Sequence, residues 1–221
     1  MADKNVTRVR RTQVDLRERL IESALEEFAA NGFDGASTRK IASNIGAHQP
    51  QINYHFESKD ALWKAALTHV FNLLAEELSQ EDIAKLPDEE MAQGLADQFR
   101  HMIYFAASHP EMNRIMIHES TSPGPRLDWL VENFVAPYYW SLSPLWKRLV
   151  KAGIAAPIDP KLIHHVIMGA ISLVFVNAHE LELLQGIDAT ERRWIKRHAE
   201  GLIATFFPGL SDASGNSRRI P

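Results

Sequence analysis

The chain reads as all-α, with about nine helices, on three observations. Apolar residues recur three or four positions apart, start and stop signals fall at helical spacings, and no alternating strand pattern survives beside them. The first helix is expected from about residue 14, because Asp15 and Glu18 have the D-x-x-E spacing of a capping box. Glu22, Glu26 and Glu27 continue it as a mostly solvated face. Ser37 can cap the second, whose Ile41 and Ile45 lie one turn apart, and Gly46 stops it. His48 can open the third, where Pro50 fits the first turn because no N–H is needed there, and Ile52 and Phe56 again lie four apart. Ser58 caps a fourth that runs to about Leu78.

Further along, Asp88 is expected to cap a helix reaching about Ser108, and Pro110 and Pro125 stand where first-turn prolines belong. Asp159-Pro160 opens another helix after the break at residues 153–157. Asp188 with Glu191 has capping-box spacing and is expected to begin the last helix, which ends at Phe207-Pro208-Gly209. The tail from Ser211 to Pro221 is polar and is expected to fray.

Composition sets limits. At 221 residues, 45% hydrophobic and 24% charged, the chain has room for one large or two small globular domains. The absence of cysteine removes disulfides, thiolate metal sites and thiol redox switching. No run approaches about 18 apolar residues, and no hydrophobic segment follows the N-terminal charges. Neither a membrane span nor a signal peptide is expected, which places the protein in the cytoplasm.

Residues 37–63 carry the clearest functional pattern, two short helices joined by a glycine turn and delivered onto a third. With Ile52 and Phe56 turned inward, Gln49, Pro50, Gln51 and Tyr54 point away from the core, flanked by Asn53 and His55. That face is uncharged and amide-rich. Gln and Asn pair bidentately with adenine N6 and N7, so it suits base reading in the major groove. Lys59, just after Ser58, puts a cation at a helix N-terminus, and a phosphate bridging it and the free N–H groups would relieve the conflict. Upstream, Lys4, Arg8, Arg10 and Arg11 form an arm with no acid between residues 4 and 14, fitted to phosphates or a minor groove and expected to be disordered without DNA. The net charge of −4 lies entirely past residue 60, since the first 60 residues hold nine cations and nine anions.

On these residues, with Thr38, Ile41-Ala42, Gly46 and the S-K-x-A-L run from Ser58 to Leu62, the segment 14–75 resembles the N-terminal domain of the TetR/AcrR family of bacterial repressors. The resemblance implies a phosphate contact by Tyr54 and adds Ser37, Thr38, Arg39 and His48 to the candidate DNA contacts. It also implies a division into a basic arm over 1–13, a helix-turn-helix domain over 14–75, a ligand-binding and dimerisation domain over 76–209, and a tail over 210–221.

The second region has no recognisable catalytic motif. Its segment from Val166 to Ala178 is hydrophobic almost all round, and Gly169 and Ala170 would let another helix approach closely. This segment and the helix from Glu191 to Phe207 are read as a dimer-forming pair, as the resemblance also implies. Phe99, Met102 and Met116, with Trp129, Phe134 and Tyr138, supply the adaptable and polar-tipped apolar groups that line ligand pockets or ordinary cores. A pocket for a small apolar or aromatic effector there is what the resemblance implies. The ten histidines do not assemble a metal site by spacing: His164 and His165 point about 100° apart on a helix, and His101 and His109 lie about 12 Å apart. No catalytic residue, cofactor or metal is expected. The sequence thus predicts a ligand-responsive, homodimeric transcriptional repressor bound to double-stranded operator DNA. A helical metal-dependent or hydrolytic enzyme with an incidental helix-turn-helix is the alternative.

Overall fold

The computed structural model describes residues 2–78 and 82–210, with side chains from Asp15 onward. The described residues form helices α1 (Ala2–Gly35), α2 (Thr38–Asn44), α3 (Gln49–His55), α4 (Lys59–Glu77), α5 (Asp88–Ser108), α6 (Pro110–Ser120), α7 (Pro125–Leu130), α8 (Ala136–Lys151), α9 (Ile163–Val176), α10 (Ala178–Gln185) and α11 (Arg192–Phe206). A single turn of 3₁₀ helix, Ile83–Lys85, precedes α5, and a π-turn, Val131–Val135, joins α7 to α8. Among the described residues there is no strand.

Several boundaries depart from the spacing signals. The backbone of α1 is helical from Ala2, so Asp15 and Glu18 lie inside a helix and do not cap one. No glycine or proline stands between Ala2 and Asn31 to stop the helix from extending upstream. The side chains of Arg8, Arg10 and Arg11, and the tail past Leu210, lie outside the described residues. Asp88 is the first residue of α5, not its cap, and its carboxylate takes the Arg148 Nε–H at 2.5 Å. Asp188 Oδ1 accepts from the Thr190 N–H at 2.8 Å and its hydroxyl at 2.6 Å, making a local turn, so α11, capped by Glu191, starts later than a cap at Asp188 would place it. The apolar run after Val166 breaks at Asn177, and α10 leaves the line of α9 at 66°. Among the described residues, no single helix is long and apolar enough to cross a membrane.

Two compact units result, and they do not follow chain order. The first holds the chain up to Glu76 together with His109–Leu127; the second holds Glu77–Ser108 and the chain from Asp128. In the first unit, α1 supplies a buried stripe of Leu20, Ala24 and Phe28, against which Ile41, Ile52 and Phe56 and the α4 residues Leu62, Trp63 and Ala66 close a common core. The α6 helix packs on α1 through Met112 and Ile115. Read in chain order, α6 falls in the second domain; its apolar stripe places it with the first.

The core of the second unit is aromatic. Phe207 lies 5.5 Å from the ring of Phe99 and 5.6 Å from that of Trp146, and Phe206 meets the same two rings edge-on. Trp146 Nε1–H donates to the Ile158 carbonyl at 3.2 Å, which satisfies the one polar atom of a fully buried indole. The Arg148 guanidinium ties α8 to the segment before α5 through the carbonyls of Ala84 and Leu86, at 3.0 and 2.9 Å. Just past α11, Gly209 N–H donates to the Ile154 carbonyl at 2.9 Å. A β-carbon on Gly209 would stand 2.5 Å from the Gly153 oxygen and 2.6 Å from the Ile154 α-carbon, both backbone atoms that cannot swing aside. Gly209→Ala is therefore expected to destabilise the protein by about 1–3 kcal/mol through overpacking, read as a lowered denaturation midpoint; an unchanged midpoint refutes the packing.

Candidate nucleic-acid interface

The reading helix is held by its neighbours at defined points. On α1, the carboxylate of Glu27 is only 4% exposed. Its Oε1 accepts the Ser37 N–H at 3.2 Å and its Oε2 pairs with Lys40 Nζ at 3.0 Å, so one buried anion fixes the start of α2. One turn up α1, Ser23 Oγ–H donates to the Ile41 carbonyl at 3.0 Å, and Arg19 takes the Ile45 carbonyl at 2.9 Å at the other end of α2. Glu27 read as part of a solvated face, and the structure corrects that: its partners are brought to it by the fold. The Ser37 hydroxyl caps α2 from the expected position, accepting the Lys40 N–H at 3.4 Å.

The turn into α3 is made by Gly46, whose φ of 70° is the left-handed conformation that a side chain would resist. His48 is the N-cap of α3, and Gln51 Oε1 accepts the His48 N–H at 2.8 Å. The sequence has Gln51 offering its amide to a base; its oxygen is instead engaged in the cap. Gln49, Pro50, Asn53 and Tyr54 are exposed, Tyr54 at 71%, while Ile52 and Phe56 are buried. The outward face of α3 is thus uncharged and rigidly mounted. Thr38 and Arg39 stand at the start of α2, half-buried and exposed respectively. Ser58 Oγ caps α4 by accepting the Ala61 N–H at 3.0 Å, and Lys59 reaches back to the Asp34 carbonyl at 3.3 Å with its ammonium 4.9 Å from the Phe33 ring centre. Arg126 lies over the same ring at 3.9 Å and takes both oxygens of Glu119, at 3.0 and 3.1 Å.

The residues expected to line a ligand pocket are divided between the two units. Phe99 is buried in the aromatic core of the second unit, and Met116 belongs to the first. Met102, Trp129, Phe134 and Tyr138 belong to the second, where Trp129 and Phe134 meet edge-on at 5.4 Å across the π-turn. The Tyr138 hydroxyl reaches only the Met102 sulfur, at 3.6 Å, and burial pushes its phenol up. His164, which the spacing of histidines singled out only to exclude a metal, stands 5.9 Å from the Tyr138 ring, and its buried Nδ1 has no hydrogen-bond partner among the described residues. Nothing in the sequence pairs these two, because 26 positions separate them.

A rigid three-helix head that turns an uncharged amide-rich helix face to the outside, followed by a second helical unit, defines a helix-turn-helix DNA-binding regulator. A family model for the bacterial regulatory proteins of the tetR family matches residues 20–66, and one for the tetracyclin repressor-like C-terminal domain matches residues 92–205. The chain belongs to the TetR family, whose members are transcriptional regulators and not enzymes. The transcriptional regulator RutR of Escherichia coli is 22% identical over 196 residues, 88% of this chain and 90% of RutR. The class D tetracycline repressor of Escherichia coli is 39% identical over 54 residues, 24% of this chain and 25% of that repressor. Among solved structures, AibR in complex with isovaleryl coenzyme A and operator DNA superposes with a TM-score of 0.68 at 17% identity, covering 87% of this chain and 98% of AibR.

Two outcomes follow from this geometry. Glu27→Ala removes the anion from Ser37 and Lys40 and is expected to cost about 1–3 kcal/mol in denaturant unfolding, and Glu27→Gln, which keeps an acceptor for the Ser37 N–H, less than that. Equal stability of all three proteins would show that the carboxylate anchors nothing. The second concerns pH. His55, His164 and His198 all hold their protons less tightly than the ordinary 6.5, chiefly through burial, with Arg17 also repelling the proton on His55 and His165 that on His164. The unfolded chain then binds more protons than the folded one between those lowered values and 6.5. Stability is full above that window and falls as pH drops through it. Unfolding midpoints at about pH 7.5 and about pH 5.5 should differ in that direction, and a flat profile would contradict it.

Proposed function

We propose that this regulator is a homodimeric repressor that sits on a palindromic operator and is released by a small effector with an apolar body. The observation that carries the DNA reading is the outward face of α3, where Gln49 and Asn53 offer complete amides for base edges and Tyr54 offers a hydroxyl for phosphate. Gln51 and Lys59 contribute mainly by holding α3 and α4 in place, through His48 and Asp34. The arm of Arg8, Arg10 and Arg11 adds phosphate or minor-groove contacts, and Ser37, Thr38 and Arg39 border the reading helix. Such a protein works in the cytoplasm, with the DNA it controls.

The dimer reading rests on α9. Its buried side is the stripe Ile163, Ile167, Ile171 and Phe175, yet Leu162, Val166 and Leu173 on the other side are exposed around Gly169. A second apolar stripe open to water fits a helix pair from another copy, with α11 beside it. For the effector, the partly buried Tyr138 hydroxyl has a thioether, that of Met102, as its hydrogen-bond partner, and the buried His164 Nδ1 has none among the described residues. A ligand with one polar group on an apolar body would satisfy them. AibR, with its acyl coenzyme A, is consistent with that chemistry. Release then requires the effector to favour a conformation in which the two reading helices are misplaced. Of the places where the chain passes between the units, the one nearest the reading helix in sequence is α4, which follows α3 directly and hands the chain over at Glu76.

Selection of bound fragments from random duplex DNA is expected to return an inverted repeat with half-site centres about 34–36 Å apart or more. Asn53→Ala should lose about 1–3 kcal/mol of discrimination at one base of each half-site, whereas Tyr54→Phe should weaken specific and random DNA alike. A monomer on a single asymmetric site, or the same factor lost by both variants on every sequence, would refute the assignment.

A further inference from the structure

Between α9, α10 and α11 lies an open groove of about 390 Å³, lined by Val174, Phe175, Leu181, Ile187, Trp194 and Arg197. Its wall α10 is anomalous. Eight residues are too few for an isolated helix to persist in water, and this one buries no side chain of its own. Leu181 and Gln185, four apart, face the groove. The remaining leucines point elsewhere: Leu183 is 89% exposed and Leu184 71%. An exposed leucine pair on a helix that turns 66° away from α9 is a surface waiting to be covered.

Charge says by what. The first turns of α11 carry Arg192, Arg193, Lys196 and Arg197, cations at a helix N-terminus, where the dipole disfavours them. Arg193 pairs with Glu191 at 2.5 Å and Lys196 approaches Glu200 at 3.6 Å. Arg197 rests over the Trp194 ring at 5.5 Å, at the groove edge, with no ion pair among the described residues. On α10, the leucines are interleaved with Glu180 and Glu182, both exposed and also without an ion pair among the described residues. One element is acidic and apolar, the other basic and apolar, and both belong to the same chain. A two-fold pairing of identical chains brings each to the other twice, and the open α9 stripe, ending at Leu173 beside Val174 of the groove, leads directly into it.

We infer that α10 is a dimer arm: in the assembled regulator, Leu183 and Leu184 of each copy cover the Trp194 side of the groove on the second copy, with Glu180 and Glu182 set against its Arg193 and Arg197. The inference rests on the homodimer proposed above and adds to it a contact outside the α9–α11 pair. The test is a charge exchange in the full-length protein, with far-ultraviolet circular dichroism to verify folding and sedimentation to measure dissociation. E180R/E182R alone and R193E/R197E alone should each raise the dimer dissociation constant about tenfold or more, from two lost contacts per dimer. An equimolar mixture of the two should recover the wild-type constant, because in the mixed dimer both contacts are complementary again. L183N/L184N should weaken the dimer as well. No recovery on mixing, or unchanged dissociation in all three variants, overturns the arm. If V166E/L173E still splits the wild-type dimer in that case, the α9 pairing stands without it; a wild-type chain that is monomeric at micromolar concentration overturns both.

Discussion

The arrangement of the DNA-reading head depends on one buried anion. A carboxylate as enclosed as that of Glu27 would be costly in an apolar core, and it is stable here because an amide and an ammonium converge on it. That requirement works in reverse on the backbone. Ser37 and Lys40 must stand where Glu27 can reach them, so the start of α2 cannot slide along α1 without leaving the charge unpaired. Ser23 and Arg19, spaced one turn apart on the same helix, hold the middle and end of α2. Position is thereby passed from α1 to α2, and through Gly46 and the His48–Gln51 cap to α3. A helix of seven residues has little stability of its own, and it can serve as a rigid reading surface only because its neighbours define it.

The same head shows which parts of a structure a sequence can announce. The glycine turn, the Ser37 and Ser58 caps, Pro50 and the four-residue spacing of Ile52 and Phe56 are local signals, and each appears where the spacing predicts. Local signals also misled where two local solutions share one signature. Asp188 has the spacing of a capping box but closes a turn with Thr190, and Asp15 lies in a helix that nothing upstream interrupts. Glu27 could not be read at all, because a glutamate on a helix looks solvated until a residue ten positions away folds against it. For Gln51 the pattern revealed an outward amide, but not that half of it is engaged in the cap.

In the second unit the sequence leaves core and pocket unseparated for a single reason. Aromatic and methionine residues have the same pattern whether they line a pocket or fill a core, and only contacts separate the two. Phe99 and Trp146 are core, locked by Phe206 and Phe207 from the far end of the chain. Tyr138 differs, since its hydroxyl is buried against a sulfur, a poor acceptor, while His164 beside it leaves a nitrogen unused. A folded core ordinarily satisfies such atoms, which is why the effector reading proposed above is built on these two residues.

Hydrophobic periodicity identified α9 as buried on several sides, and the structure gives that statement a sharper meaning. One stripe of α9 is covered by its own chain and another is not, so the sequence encodes more burial than a single copy provides. The same excess continues past Asn177 into the exposed leucines of α10. Apolar residues left in water on two consecutive helices, next to a groove edged by Arg197, which has no ion pair among the described residues, are the ground for the dimer proposed above. A regulator that must present two reading helices at a set separation gains from such an arrangement. The wider the contact between copies, the less either head can turn on its own, and the more directly a shift at one surface is transmitted to the spacing that DNA recognises.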